Sequence, residues 1–219
     1  QRTAAARTTP FNLYCPTKVR VFCRGITSTY LLQQNRVFSG RNTVGINVNA
    51  VNNLSVRKFP GIDCRSLLSL SSANAALSSE QGSSFDCNNC AITDPIECFN
   101  FELAEVDSAW SIPWQRLQLP PIKLADQGST TTCHAVLYWF QLEYPTPEPS
   151  KRPEIIDTGV YHAESHWRQA AVILHNGNSA TPSTVWKHGD TITVECCCTK
   201  SYGVNFRIAA EQALNKPTD

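Results

Sequence analysis

The residues whose chemistry stands out are Ser165, His166 and Trp167, in the stretch "AESHWRQAAVIL", where a polar segment runs into a small apolar one. An imidazole ionises near neutral pH and both donates and accepts hydrogen bonds. An indole offers a broad apolar face with a single N–H donor. At the junction of a loop and a strand, such a pair either serves a site from a rigid scaffold or does a plainer job. In the plainer case Trp167 caps the core and His166 is solvated. Residue types alone leave both readings open.

Other reactive groups are less promising. Glu97, Glu102 and Glu105 lie in and beside one expected strand, with Asp107 following. Glu97 and Glu105 share a face by parity, but acid–base work needs carboxylates in a pocket that shifts their pKa values, which a strand face does not supply. His134 sits at a strand entrance and reads as a satisfied core-edge residue, while His162, His175 and His188 lie in loop-like sequence without a partner signal. Of the ten cysteines, Cys196, Cys197 and Cys198 are consecutive, so alternation along a strand sends Cys197 to the other face. That run does not suit a paired disulfide framework and favours reduced thiols. Cys87 and Cys90 form a lone C-x-x-C without a second ligand pair, so no metal site is expected. The ten glycines make neither G-x-G nor a phosphate loop, and G-x-S-x-G and H-E-x-x-H are missing too. No nucleotide cradle or hydrolase nucleophile is therefore expected here.

The elements that must position these residues read as strands. In "KVRVFCRGI", Val19, Val21 and Cys23 alternate with Lys18, Arg20 and Arg24, giving one buried and one polar face. "TVGINVNAV" repeats the pattern, and "ECFNFELAEV" sets Phe99, Phe101 and Leu103 against Asn100 and Glu102. "CHAVLYWFQLEY" is apolar on both sides at its centre: Val136, Tyr138 and Phe140 on one, Ala135, Leu137 and Trp139 on the other. "TITVECCCT" and "YGVNFRI", joined at Lys200 and Ser201, read as a terminal hairpin. Two segments break the alternation. The serine-rich stretch from about 57 to 90 carries Leu67, Leu68, Leu70 and Leu77 at roughly helical spacing after Asp63 and reads as a projecting insertion. "YPTPEPSKRPEIIDTG" reads as a stiff, exposed connection between strands. The expected fold is mainly β, a barrel or sandwich with a short helical insertion. Residues 1–15 read as a linker or tail, 16–208 as the β domain and 209–219 as a C-terminal tail.

Composition narrows the partners. With 19 basic and 18 acidic residues in 219, the net charge of +1 creates no field to draw nucleic acid or an anionic membrane surface. No apolar run approaches the roughly 18 residues of a membrane span, and "QRTAAARTTPFNLY" lacks the apolar centre of a signal peptide. The chain is expected to be soluble without a retained targeting signal. Lacking methionine, it is also expected to be a piece of something longer.

"SHWRQAAVIL", followed by "HGD" and the terminal hairpin, resembles the C-terminal β-barrel of protein arginine N-methyltransferases. That family carries a T-H-W loop, then [KR]-Q and an apolar strand; Ser165 stands at the threonine position, as in the tandem-module branch. "TKVRVFCRGI" resembles the first barrel strand, "TVGINVNAV" the segment leading into the dimerisation arm, and "CHAVLYWFQLEYP" the central strand. The serine-rich insertion would then be the arm. The resemblance implies that His166 can hydrogen-bond an active-site carboxylate and that Trp167 walls the pocket for the substrate arginine. It implies a Rossmann-like catalytic domain on the same polypeptide, which would hold S-adenosylmethionine and the paired glutamates. This chain alone, without cofactor or metal, is expected to be inactive. Implied partners are arginine-containing protein substrates and a second copy in a homodimer, or an intramolecular pseudo-dimer; the implied location is cytoplasmic or nuclear. Two alternatives are a non-catalytic interaction domain of a degenerate second module, and a secreted β-sandwich binding module using some of the cysteines.

Overall fold

The computed structural model describes residues 16–28, 31, 58–62, 68–69, 90–104, 111–124, 126–146, 151–159, 169–174, 184–200 and 203–209; of 58–62, 68–69 and 90 it describes the backbone. These residues form β1 (Lys18–Thr27), β2 (Lys58–Ile62), β3 (Leu68–Ser69), β4 (Cys90–Ala91), β5 (Ile96–Glu102), β6 (Ser111–Gln118) and β7 (Thr130–Thr132). They continue as β8 (Ala135–Tyr144), β9 (Glu154–Asp157), β10 (Gln169–Ile173), β11 (Val185–Lys187), β12 (Thr193–Thr199) and β13 (Gly203–Ile208). The expected mainly β class is what the chain adopts, and among the described residues Leu31 alone is helical.

An eight-stranded sheet runs in the order β2-β10-β8-β1-β4-β3, with β5 also paired to β1 and β9 to β8. A three-stranded sheet, β13-β12-β6, packs on one face, and β11-β7 forms a separate pair. Among the described strands the sheets stay open and form a sandwich. Alternation builds the interface: Val21 and Cys23 of β1, Phe99 of β5 and Val136 of β8 meet Val194, Cys196, Val204 and Phe206 from the smaller sheet in one core. Tyr138 and Phe206 bridge the two sheets with ring centroids 5.9 Å apart.

The opposite parity of the same strands fills a second core. Ile26, Leu31, Ala135, Leu137, Trp139, Ala171 and Ile173 are buried together there, with Phe22 packed against them. This layer corrects the reading of Arg24 as part of a polar face. Arg24 is 5% exposed, and its Nε and Nη2 donate to Thr93 O at 3.0 and 2.8 Å. A guanidinium is tolerated inside when its donors are answered. The face is wet only at its outer end, where Lys18 meets Glu102 at 2.7 Å and Arg20 meets Glu143 at 3.6 Å.

Three further differences have local causes. A register shift in the β1–β5 ladder at Val21/Phe22 lets Cys98 and Phe99, adjacent in sequence, both turn inward. A second shift against β6 lies between Cys196 and Cys198. There all three consecutive cysteines are buried, with Cys197 outside the main core as its parity predicts. Glu154–Asp157, read as connector, is an edge strand on β8 that leaves Ile155 and Ile156 exposed, so it shows no alternation to read. The terminal hairpin forms as expected, closing at Thr199 and Gly203. Gly203 has φ +60°, a left-handed conformation that costs glycine little. The last strand is extended by Ala209, whose N–H donates to Thr193 O at 3.1 Å.

In the insertion, Lys58–Ile62 joins the main sheet beside β10, and Leu68–Ser69 pairs in parallel with Cys90–Ala91. Helix, expected from the leucine spacing, is therefore replaced by strand at Leu68. The rest of that segment, "TVGINVNAV", residues 1–15 and residues 210–219 lie outside the described residues.

Candidate functional site

Ser165, His166 and Trp167 lie outside the described residues, but the two stems that flank residues 160–168 are described. One stem is Thr158–Gly159, just after β9; the other is Gln169, which opens β10. Gln169 Nε2 donates to Thr158 O at 2.6 Å, and the two residues are 5% and 1% exposed. Thr158 is fixed in turn to the central strand. Its N–H donates to Phe140 O at 3.0 Å, its Oγ1 donates to the same oxygen at 2.9 Å, and Phe140 N–H donates to that Oγ1 at 3.1 Å. The threonine thus continues the β8–β9 ladder with its side chain, and the glutamine ties the returning chain to it.

Gly159 completes the stem. Its N–H donates to Asp157 Oδ1 at 2.7 Å, while Asp157 Oδ2 accepts from Gln141 Nε2 at 2.7 Å. A Cβ at this position would lie 2.6 Å from Trp139 Nε1 and 2.8 Å from Asp157 Oδ1, so the chain passes over the indole only because residue 159 has no side chain. Trp139 is itself held by Phe22, with ring centroids 6.1 Å apart and planes 21° apart. The two stems that flank residues 160–168 are thus buried and linked to each other, the kind of rigid base from which functional side chains are commonly presented. The expected loop residues drew attention by their types. Gln169 and Gly159 did not, although a polar residue opening "QAAVIL" and the turn signal in "DTG" both mark them.

Other candidates have structural explanations. His134 Nδ1 accepts from Ser28 N at 2.8 Å and lies 3.3 Å from Thr27 Oγ1, as expected of a satisfied core-edge histidine. His188 Nδ1, for which the sequence offered no partner, lies 3.1 Å from Leu124 N and 2.9 Å from Leu124 O. Glu97 is exposed, and Glu102 pairs with Lys18. His162, His175, Glu105, Asp107 and Cys87 lie outside the described residues.

Cys23, Cys98, Cys133, Cys196, Cys197 and Cys198 are buried and not in disulfides. The Cys23 thiol is pushed well up, first by its hydrogen bond with Cys98 and then by burial. Burial pushes Cys133 up to about 12 and is the leading cause that takes Cys196 to about 11. Thiols held protonated in this way are poor nucleophiles at neutral pH. Among the described residues no three His, Cys, Asp or Glu side chains are grouped to hold a metal ion.

No model of a known protein family matches the sequence, and no curated protein matches it. The class that the fold defines is a mainly β domain of two packed, open sheets. It is similar to a chain of the Trypanosoma brucei PRMT1 enzyme-prozyme heterotetrameric complex with AdoHcy, with a TM-score of 0.53 and 16% identity over 87% of this chain and 50% of that one. A crystal structure of PRMT6 matches with a TM-score of 0.49 and 14% identity over 89% of this chain and 55% of that one. This chain spans about half the length of the solved chains it matches. The likeness is one of fold, and the chain has a PRMT-like fold.

Proposed function

We propose that this chain is the C-terminal β domain of a protein arginine N-methyltransferase, shaping the groove that receives the substrate arginine. The supporting observation is the conjunction of a PRMT-like fold over 87% of the chain with the sequence Ser165-His166-Trp167 lying between two stems joined by Gln169 and Thr158. In this reading His166 hydrogen-bonds a carboxylate of the catalytic domain and Trp167 walls the arginine pocket, with Ser165 opening the loop. The methyl donor, S-adenosylmethionine, is held by a Rossmann-like domain of the same polypeptide, and this domain supplies shape rather than cofactor contacts. The proposed partners are that domain, arginine-containing proteins and a second copy or pseudo-copy of the module. The proposed location is the cytoplasm or nucleus.

Methyl transfer from S-adenosylmethionine to an arginine-rich protein, assayed with the complete polypeptide that bears this domain, tests the reading. Activity that falls in the His166→Ala variant while the domain stays folded supports it. Turnover unaffected by that substitution overturns it. A non-catalytic module remains the second reading, because the similar fold comes from a complex of an enzyme with a prozyme. Absence of methyl transfer, together with stable association with a catalytic subunit, is its signature.

A further inference from the structure

The two sheets meet over an apolar pocket at one end. β1 and β8 have ten residues each, β12 seven and β13 six, so the two longest strands of the large sheet are longer than either strand of the terminal hairpin. On the face toward the hairpin, cross-strand register aligns Phe101, Val19 and Leu142 in one row and Phe99, Val21 and Phe140 in the next. The other face of the same strand ends is polar, carrying the Lys18–Glu102 and Arg20–Glu143 pairs and the Gln141–Asp157 hydrogen bond. This end of the sheet is therefore amphipathic, with its apolar face toward the hairpin. There lies a half-open pocket of about 360 Å³, lined by Val19, Phe101, Tyr138 and Phe140 from the large sheet and by Cys198 and Val204 from the hairpin.

We propose that this cavity is a binding site for a small, neutral, two-ring aromatic molecule carrying one hydrogen-bond acceptor. It goes beyond the methyltransferase reading and does not depend on it. Size comes first: an apolar cavity of about 150 Å³ holds one benzene ring, so 360 Å³ has room for two fused rings. Charge comes second. Among the described residues no ionised side chain lines the space, so a charged ligand would give up hydration there without a countercharge. Shape comes third, since the rings of Phe101, Tyr138 and Phe140 favour an aromatic guest; Tyr138 and Phe140 already meet edge to face at 6.5 Å and 80°. The Tyr138 hydroxyl supplies the polar contact. It has no hydrogen-bond partner among the described residues, and burial, followed by Cys198 and Cys98, raises its pKa, keeping it a donor.

Equilibrium dialysis of the full chain with 2-acetylnaphthalene, naphthalene and naphthalene-2-carboxylate tests the site. The two neutral probes should bind saturably and the anion should not. Tyr138→Phe should weaken acetylnaphthalene by about tenfold, the worth of one hydrogen bond, and leave naphthalene unchanged. Val204→Trp, which fills the space, should abolish binding of both neutral probes; Phe101→Ala, which enlarges it, should admit a three-ring probe and serves if the first variant fails to fold. Failure of the neutral probes to saturate, equal binding of the anion, or an affinity for acetylnaphthalene indifferent to Tyr138→Phe overturns the proposal.

Discussion

The side-chain amide of Gln169 donates to the backbone carbonyl of Thr158 across 2.6 Å, and this bond joins the two stems that flank residues 160–168. Gln169→Ala strands a buried carbonyl, at a cost of about 1 to 3 kcal/mol. Gln169→Glu should cost more at neutral pH, because an ionised carboxylate has no proton to donate and faces an oxygen. Urea denaturation of the three proteins checks the order wild type, alanine, glutamate.

Gly159→Ala should destabilise by about 1 to 3 kcal/mol through overpacking, because the added carbon would sit 2.6 Å from Trp139 Nε1. Trp139 fluorescence should shift with it, as the indole moves off Phe22. A denaturation midpoint equal to wild type would show that the turn has slack that the distance does not suggest.

His134 and His166 should respond oppositely to alanine. Removing the His134 ring leaves Ser28 N–H without the acceptor it has at 2.8 Å, at a cost of about 1 to 3 kcal/mol. His166→Ala should change stability by no more than about 0.5 kcal/mol and lower methyl transfer in the complete polypeptide by about tenfold or more. Melting and activity measured on the same two variants separate a structural imidazole from a functional one.

The contribution of the buried thiols to stability should be constant in pH up to about 9 and then fall. Unfolded thiols ionise near 9.0, whereas burial holds Cys133 to about 12 and Cys196 to about 11. Between those values the folded state keeps protons that the unfolded state has lost, so rising pH favours unfolding. Stability from these groups is complete below 9 and is lost as pH climbs through 11 to 12. Urea midpoints from pH 7 to 11 should show the decline, and Cys133→Ala should make it shallower.

The strands that carry one buried face, or two, were legible because the sequence writes parity directly: Val21 and Cys23 inward, Leu137 and Trp139 to the second core. The hairpin of β12 and β13 was legible for the same reason. Arg24 was not, since its burial depends on a carbonyl at Thr93 that only the tertiary fold brings near. Nor was β9, an edge strand whose Ile155 and Ile156 are both exposed and which exists by pairing with β8. At the candidate site, the clamp between Thr158 and Gln169 joins residues eleven positions apart without local periodicity, so the sequence did not announce it.

β8 pairs with β1 through nine consecutive positions, from Lys18 with Glu143 to Ile26 with Ala135. It also sends Val136 into one core and Leu137 into the other. Two hydrophobic bodies that share a backbone strand cannot melt one after the other, because withdrawing β8 from either exposes the apolar surface of both. The domain should therefore open as a single cooperative unit despite its layered build, with the amides of Val136, Leu137 and Tyr138 exchanging only when the whole sandwich comes apart.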